Sequence, residues 1–202
     1  ILRKTKVMPQ LVVRWTDRNG VDGDDEYTSN ITLGNDKSFE EYDYQKTLLA
    51  VIPSNVVKIP EYLFAGYERL VTVELPNTLT KIGAGAFSHC KSRSGCTIPQ
   101  HLVEIGDNAF HNCYQLSFDP DTCCITLPSS LSFIGASAFY GCSRLREVRF
   151  SDVNLKTIDA NTFGYCTTLL YLKLSYSIVN IGKSAFASCV ALSSIKLPQS
   201  LK

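Results

Sequence analysis

Apolar residues return along this chain on a long and regular period. Phe64, Phe87, Phe110, Phe139, Phe163 and Phe186 recur at steps of 23, 23, 29, 24 and 23 residues. Five residues before each phenylalanine stands an isoleucine: Ile59, Ile82, Ile105, Ile134, Ile158 and Ile181. Three residues after the last five stand Cys90, Cys113, Cys142, Cys166 and Cys189, and Tyr67 fills that slot in the first unit. Next comes an alternating segment, as in Leu70-x-x-Val73-x-Leu75, Leu145-x-x-Val148-x-Phe150, Leu169-x-x-Leu172-x-Leu174 and Leu192-x-x-Ile195-x-Leu197. Alternation of period two predicts a strand with one face in the core. Pro53, Pro76, Pro99, Pro128 and Pro198 end that strand, where a missing N–H costs little. One more apolar residue closes each turn: Val56, Leu79, Leu102, Leu131, Leu155, Ile178 and Leu201. Between the glycine of Ile-Gly and the cysteine, the Ala, Phe and Cys face inward at spacings of one, three and four. That spacing predicts a short helical turn on the opposite, convex side.

A unit of this size cannot bury its own apolar face, so the units stack. A period of 20–29 residues with fixed apolar positions predicts an α/β repeat solenoid of the leucine-rich-repeat kind, its strands forming a parallel sheet along the concave face. The solenoid spans residues 47–202, with one degenerate unit, about six recognisable ones, and the last one truncated. Two units depart from the pattern. Arg93 stands where leucine is expected, and six extra residues lie within Ser117 to Cys124, which reads as a surface loop. Residues 1–46 do not follow the repeat. Val12 to Thr16 and Tyr27 to Leu33 read as strands, with Asn19-Gly20 and Asp22-Gly23 as turn signals between them. A β-hairpin flanking or capping the first repeat is expected there, with Ser38 to Gln45 as a connector.

Composition narrows the function. The chain has 202 residues, is 45% apolar and carries a net charge of +1. No charge excess drives nucleic-acid or membrane binding, and no run of 18 apolar residues predicts a span. There is no secretory apolar core near Ile1. The chain opens without Met and stops at Lys202 within a repeat, which reads as a fragment or as an end covered by a neighbour. Eight cysteines would suggest a disulfide scaffold, but five share one inward slot. They are expected to be free thiols packed as small hydrophobes. Cys96, Cys123 and Cys124 fall outside the slot, and a Cys96–Cys123 bridge stays open.

Candidate chemistry is sparse. His89 and His111 adjoin core residues on the convex turn, and His101 lies in the following loop. Zinc needs converging ligands, and these histidines and cysteines point apart. No phosphate loop or Ser-His-Asp arrangement is present, so neither enzyme activity nor a cofactor is expected. Asp17 to Glu26 has oxygens in the wrong register for calcium and reads as a solvated hairpin turn. Asn30-Ile31-Thr32 fits the glycosylation pattern. The concave face says more. Its outward residues form two columns: Leu49, Thr72, Gly95, Cys124, Glu147, Tyr171 and Ser194 in one, and Val51, Glu74, Thr97, Thr126, Arg149, Lys173 and Lys196 in the other. The second column turns basic over its last three rungs, with Glu147 and Tyr171 beside it. Glu147, Arg149, Tyr171, Lys173, Ser194 and Lys196 are therefore the candidate binding residues, suited to an acidic protein ligand.

The pattern Ile-Gly-x-x-Ala-Phe-x-x-Cys-x-x-Leu-x-x-Ile-x-Leu-Pro, clearest from Ile181 to Pro198, resembles the BspA-like class of leucine-rich repeats over roughly residues 48–202. The resemblance implies a right-handed solenoid. It also implies non-enzymatic protein recognition, such as adhesion to host or matrix proteins by cell-surface or secreted proteins. A structural subunit inside a large assembly is the alternative.

Overall fold

Each phenylalanine lies flat against the phenylalanine of the next unit. Successive ring centroids stand 5.2, 5.3, 5.4, 5.4 and 5.8 Å apart, with planes within 8° of parallel, from Phe64 through Phe186. This stack is the axis of the core. The computed structural model describes residues 10–14, 31–32, 49–52, 54–68, 70, 72–90, 96–116, 121–151 and 154–202, and structural statements concern these. The turn at Asp17 to Glu26, the glycosylation pattern at Asn30, the connector at Ser38 to Gln45, Arg93, Gly95 and residues 117–120 of the insertion lie outside them.

Three ladders surround the ring stack. The first is the expected sheet of longer strands. Leu49–Val51 pairs in parallel with Thr72–Glu74. Further on, Cys124–Leu127, Glu147–Phe150 and Tyr171–Lys173 pair in parallel, and one bridge joins Lys173 to Lys196. Between these groups, residues 96–98 of the second unit form no strand. At the first edge, Gln10–Arg14 pairs antiparallel both with Ile31–Thr32 and with Leu49–Val51.

The second ladder places the isoleucines in register: Ile59, Ile82, Ile105 and Ile134 in one sheet, Ile158 and Ile181 in another, all in two-residue parallel strands. The glycine that follows reads as a close approach of rungs. A Cβ on Gly106 would lie 2.6 Å from the Ala84 nitrogen, and one on Gly182 would lie 2.6 Å from that of Ala160.

The third ladder replaces the helical turns expected on the convex side. No described residue is helical. Across each phenylalanine, alternate N–H groups leave the unit: Tyr62, Phe64 and Gly66 donate to the carbonyls of Ala84, Ala86 and Ser88, at 2.8–2.9 Å. The N–H groups between them close local turns, as Ala65 does onto Tyr62 at 3.1 Å. A helix would need every N–H for its own ladder. The residues two before and two after each phenylalanine also have left-handed φ, from Tyr62 at 57° and Gly66 at 79° to Ser184 at 58° and Ser188 at 59°. Left-handed residues do not continue a right-handed helix. Inward spacings of one, three and four fit a pair of tight turns as well as they fit a helix.

The strand-ending prolines open a further turn. Leu79, Leu102, Leu131 and Leu201 donate their N–H groups back to Pro76, Pro99, Pro128 and Pro198 at 3.0–3.2 Å. The hydroxyl before the closing apolar residue spans the rungs. Thr78, Ser130 and Ser200 each donate across to two carbonyls of the preceding unit.

Candidate functional site

The cysteine slot has a chemical reason as well as a steric one. Each thiol donates to the carbonyl of the phenylalanine one unit back: Cys90 to Phe64 at 3.0 Å, Cys113 to Phe87 at 2.9 Å, Cys142 to Phe110 at 3.2 Å, Cys166 to Phe139 at 3.2 Å and Cys189 to Phe163 at 3.1 Å. All eight cysteines are buried and free. Burial pushes the Cys90 and Cys96 thiols up to about 12, and those of Cys113, Cys142, Cys166 and Cys189 upward too. These groups are donors, not nucleophiles. Cys96 occupies a core position and lines one small apolar cavity with Cys90 and Cys113. Cys123 lies instead at a groove beside Arg146, so Cys96 and Cys123 are not bridged.

The turns around the phenylalanines carry a row of rings. His89 tilts against His111 at 5.6 Å, His111 stacks on Tyr140 at 4.8 Å, and Tyr140 tilts against Tyr165 at 5.1 Å. His111 Nδ1 is buried with no hydrogen-bond partner. Desolvation, then the neighbouring His89, holds its imidazole below the usual histidine range. Among the described residues, no group of three or more His, Cys, Asp or Glu side chains is placed to hold a metal ion. No helix among them is long and apolar enough to cross a membrane.

The strand face brings most of the candidate binding residues together. Glu147 pairs in register with Tyr171, and Arg149 with Lys173. Lys196 joins through its single bridge, while Ser194 is exposed on the irregular segment leading to it. Thr97 and Thr126 are exposed, as the alternation predicts, but Cys124 is buried. It stands at the end of the segment that holds the insertion, beside Glu147. Arg149 is paired with the acidic residue that stands beside the basic column. Its Nε and Nη2 donate to the two Glu147 carboxylate oxygens at 2.7 and 2.9 Å. That two-pronged pair neutralises the charge locally. Among the described residues, Lys173 and Lys196 form no ion pair and are exposed, and Tyr171 is 67% exposed. Sequence reasoning missed the Arg144–Arg146 edge, which borders an open groove of about 490 Å³ with Cys123 and Leu170. The signal for it was two arginines just before a strand.

Comparison with known proteins agrees with this architecture. No curated protein matches the chain. Among solved structures, a leucine-rich repeat protein from Bacteroides ovatus is 28% identical over 76% of this chain, with a TM-score of 0.58; the chain spans 46% of that protein's length. The leucine rich repeat protein of T. pallidum is 26% identical, covering 73% of this chain and 78% of its own, with a TM-score of 0.59. A leucine rich cell surface protein from Faecalibacterium prausnitzii is 25% identical, covering 75% of this chain and 47% of its own, with a TM-score of 0.54. Residues 34–118 and 121–202 match the BspA type leucine rich repeat region in six copies, and the chain belongs to that family.

Proposed function

We propose that this chain recognises an acidic segment of a partner protein through the strand face of its last units, at the surface of the cell or outside it. The observation that carries this reading is the juxtaposition of Lys173 and Lys196 on bridged neighbouring segments, with Tyr171 exposed beside them. Neighbouring rungs lie roughly 5 Å apart at the backbone, so two ammonium groups on them repel one another until an anion lies between them. An exposed tyrosine supplies rigid apolar area with a polar tip. Glu147 and Arg149 form a neutral flank that sets where the free charge begins. Membership of the BspA type leucine rich repeat family supports a repeat surface suited to protein recognition, and the likeness to the Faecalibacterium cell surface protein supports the address.

A solid-phase assay against purified matrix proteins tests the reading. Wild-type protein should bind at least one of them, and Lys173→Glu with Lys196→Glu and Tyr171→Ala should abolish that binding while leaving the thermal midpoint nearly unchanged. A variant that melts normally and binds normally would place recognition elsewhere. Surface biotinylation of intact expressing cells should label the protein. Labelling only after lysis would overturn the address.

A further inference from the structure

The groove lies at the upstream edge of the strands that carry the lysine patch. The carbonyl of Arg146 accepts the N–H groups of both Leu170 and Tyr171, at 2.8 and 3.2 Å. Leu170 lines the groove, and its chain neighbour Tyr171 is exposed on the strand that carries Lys173. Among the described residues of the groove lining, Arg144 and Arg146 are the charged ones, and both are exposed. Arg144 donates to the neutral Gln115 side chain at 3.2 Å. No carboxylate among the described residues pairs with either guanidinium. The nearby Glu147 is committed to Arg149. One molecule thus carries two cationic positions separated by an exposed aromatic: a pair of lysines on the strand face and a pair of arginines at the groove.

We infer that the groove is a second carboxylate subsite for the same ligand, so that an extended acidic protein segment runs from Lys173 and Lys196 across Tyr171 and places a Glu or Asp side chain between Arg144 and Arg146. The inference rests on the proposed recognition of an acidic segment and extends it to a different edge of the molecule. Arginine suits this end of the path because its planar fork matches a carboxylate through two parallel hydrogen bonds. The volume, about 490 Å³, accommodates a side chain with its solvent shell, while the half-buried Leu170 gives the ligand's methylene groups an apolar floor. Cys123 borders the groove and serves as a reporter of its occupancy.

A fluorescein-labelled peptide of ten glutamates provides the probe, read by anisotropy at low and physiological salt. The double variants Arg144→Gln/Arg146→Gln and Lys173→Gln/Lys196→Gln are compared with wild type, with thermal midpoints checked for each. The arginine variant should bind about tenfold more weakly or worse, a change of about 1.4 kcal/mol. Bound peptide should also slow alkylation of Cys123, read by peptide mapping. If the lysine variant loses binding while the arginine variant keeps it, the groove subsite is overturned and the strand-face reading stands. If the arginine variant alone loses binding, the subsite stands and the lysine patch falls. Unchanged binding by both, or no binding by wild type, overturns both. A preference for heparin of matched charge over the peptide would also overturn the inference, because it assigns the cations to sulfated glycan.

Discussion

At the scale of single residues, the thiol slot is a hydrogen-bonding position. A hydroxyl placed there would find a partner, because Cys142 Sγ already donates to the Phe110 carbonyl at 3.2 Å. Serine keeps the donor on a shorter bond, whereas alanine removes it and leaves that acceptor short of one partner. Cys142→Ser should cost roughly 0.5–1.5 kcal/mol and Cys142→Ala roughly 1–3 kcal/mol, read by urea denaturation. The reverse order would mean that volume, not donation, selects cysteine. His111 supplies a pH test. Its folded-state affinity for protons is lowered by burial and by His89, so the unfolded chain binds the proton more readily. Its contribution to stability is present above about pH 6.5 and is lost as pH falls through the lower, folded value. The thermal midpoint should drop as pH falls below about 6.5, and His111→Phe should flatten that slope. An equal slope in the variant would assign the titration elsewhere.

At the scale of the element, the unit is a rung whose bonds mostly leave it. Phe139 is fully buried, stacks on both Phe110 and Phe163, and donates its N–H to Thr162 at 2.9 Å. Phe139→Ala should cost about 3–5 kcal/mol, because the rungs on either side are held at backbone spacing and cannot close the cavity. Coupling in a solenoid runs between neighbours, so the damage should be local. Hydrogen exchange should speed up first at the amides of Phe110 and Phe163, and later at Phe64 and Tyr67. A uniform increase along the chain would contradict neighbour-to-neighbour coupling. The isoleucine, phenylalanine and cysteine positions were all legible in the sequence, since each repeats at one place per unit. The type of turn was not. Gly85, Asn108, Asn112, Gly141 and Asn161 at the left-handed positions were its signature. Tyr62, His89, Ser137, Tyr165, Ser184 and Ser188 at equivalent positions hid it. Those residues accept an unfavourable φ because inter-rung hydrogen bonds hold them there.

At the scale of the whole molecule, the net charge of +1 produces little long-range field, so any attraction for an acidic partner comes from the local arrangement. This separates two explanations of salt-sensitive binding. Lys173→Glu/Lys196→Glu and Lys58→Glu/Lys183→Glu change the total charge equally, and all four lysines are exposed. Only the first pair should weaken binding of an acidic peptide, and raising salt should weaken what the second pair retains, since screening is strong beyond about 8 Å at physiological ionic strength. Equal losses from both pairs would point to overall charge instead.

What this sequence determined alone is its periodic part. Stacking needs the same apolar residue at the same place in every unit, so the rings, the thiols, the closing leucines and the alternating strand are written out repeatedly. The outward columns followed from the same alternation, and Tyr171, Lys173 and Lys196 are exposed as it predicts, whereas Cys124 is buried. What only the tertiary structure decided depends on contacts between rungs some 23–29 residues apart. The alternate N–H groups turn outward to the next unit because a partner carbonyl is waiting there, which excludes the helix. The Arg149 charge is quenched because its own strand places the Glu147 carboxylate 2.7 Å away. Arg144 and Arg146 become one edge of a groove because Leu170, from the following unit, packs alongside. A one-dimensional pattern records which residues face inward; which outward charges remain free depends on the neighbours that stacking brings to them.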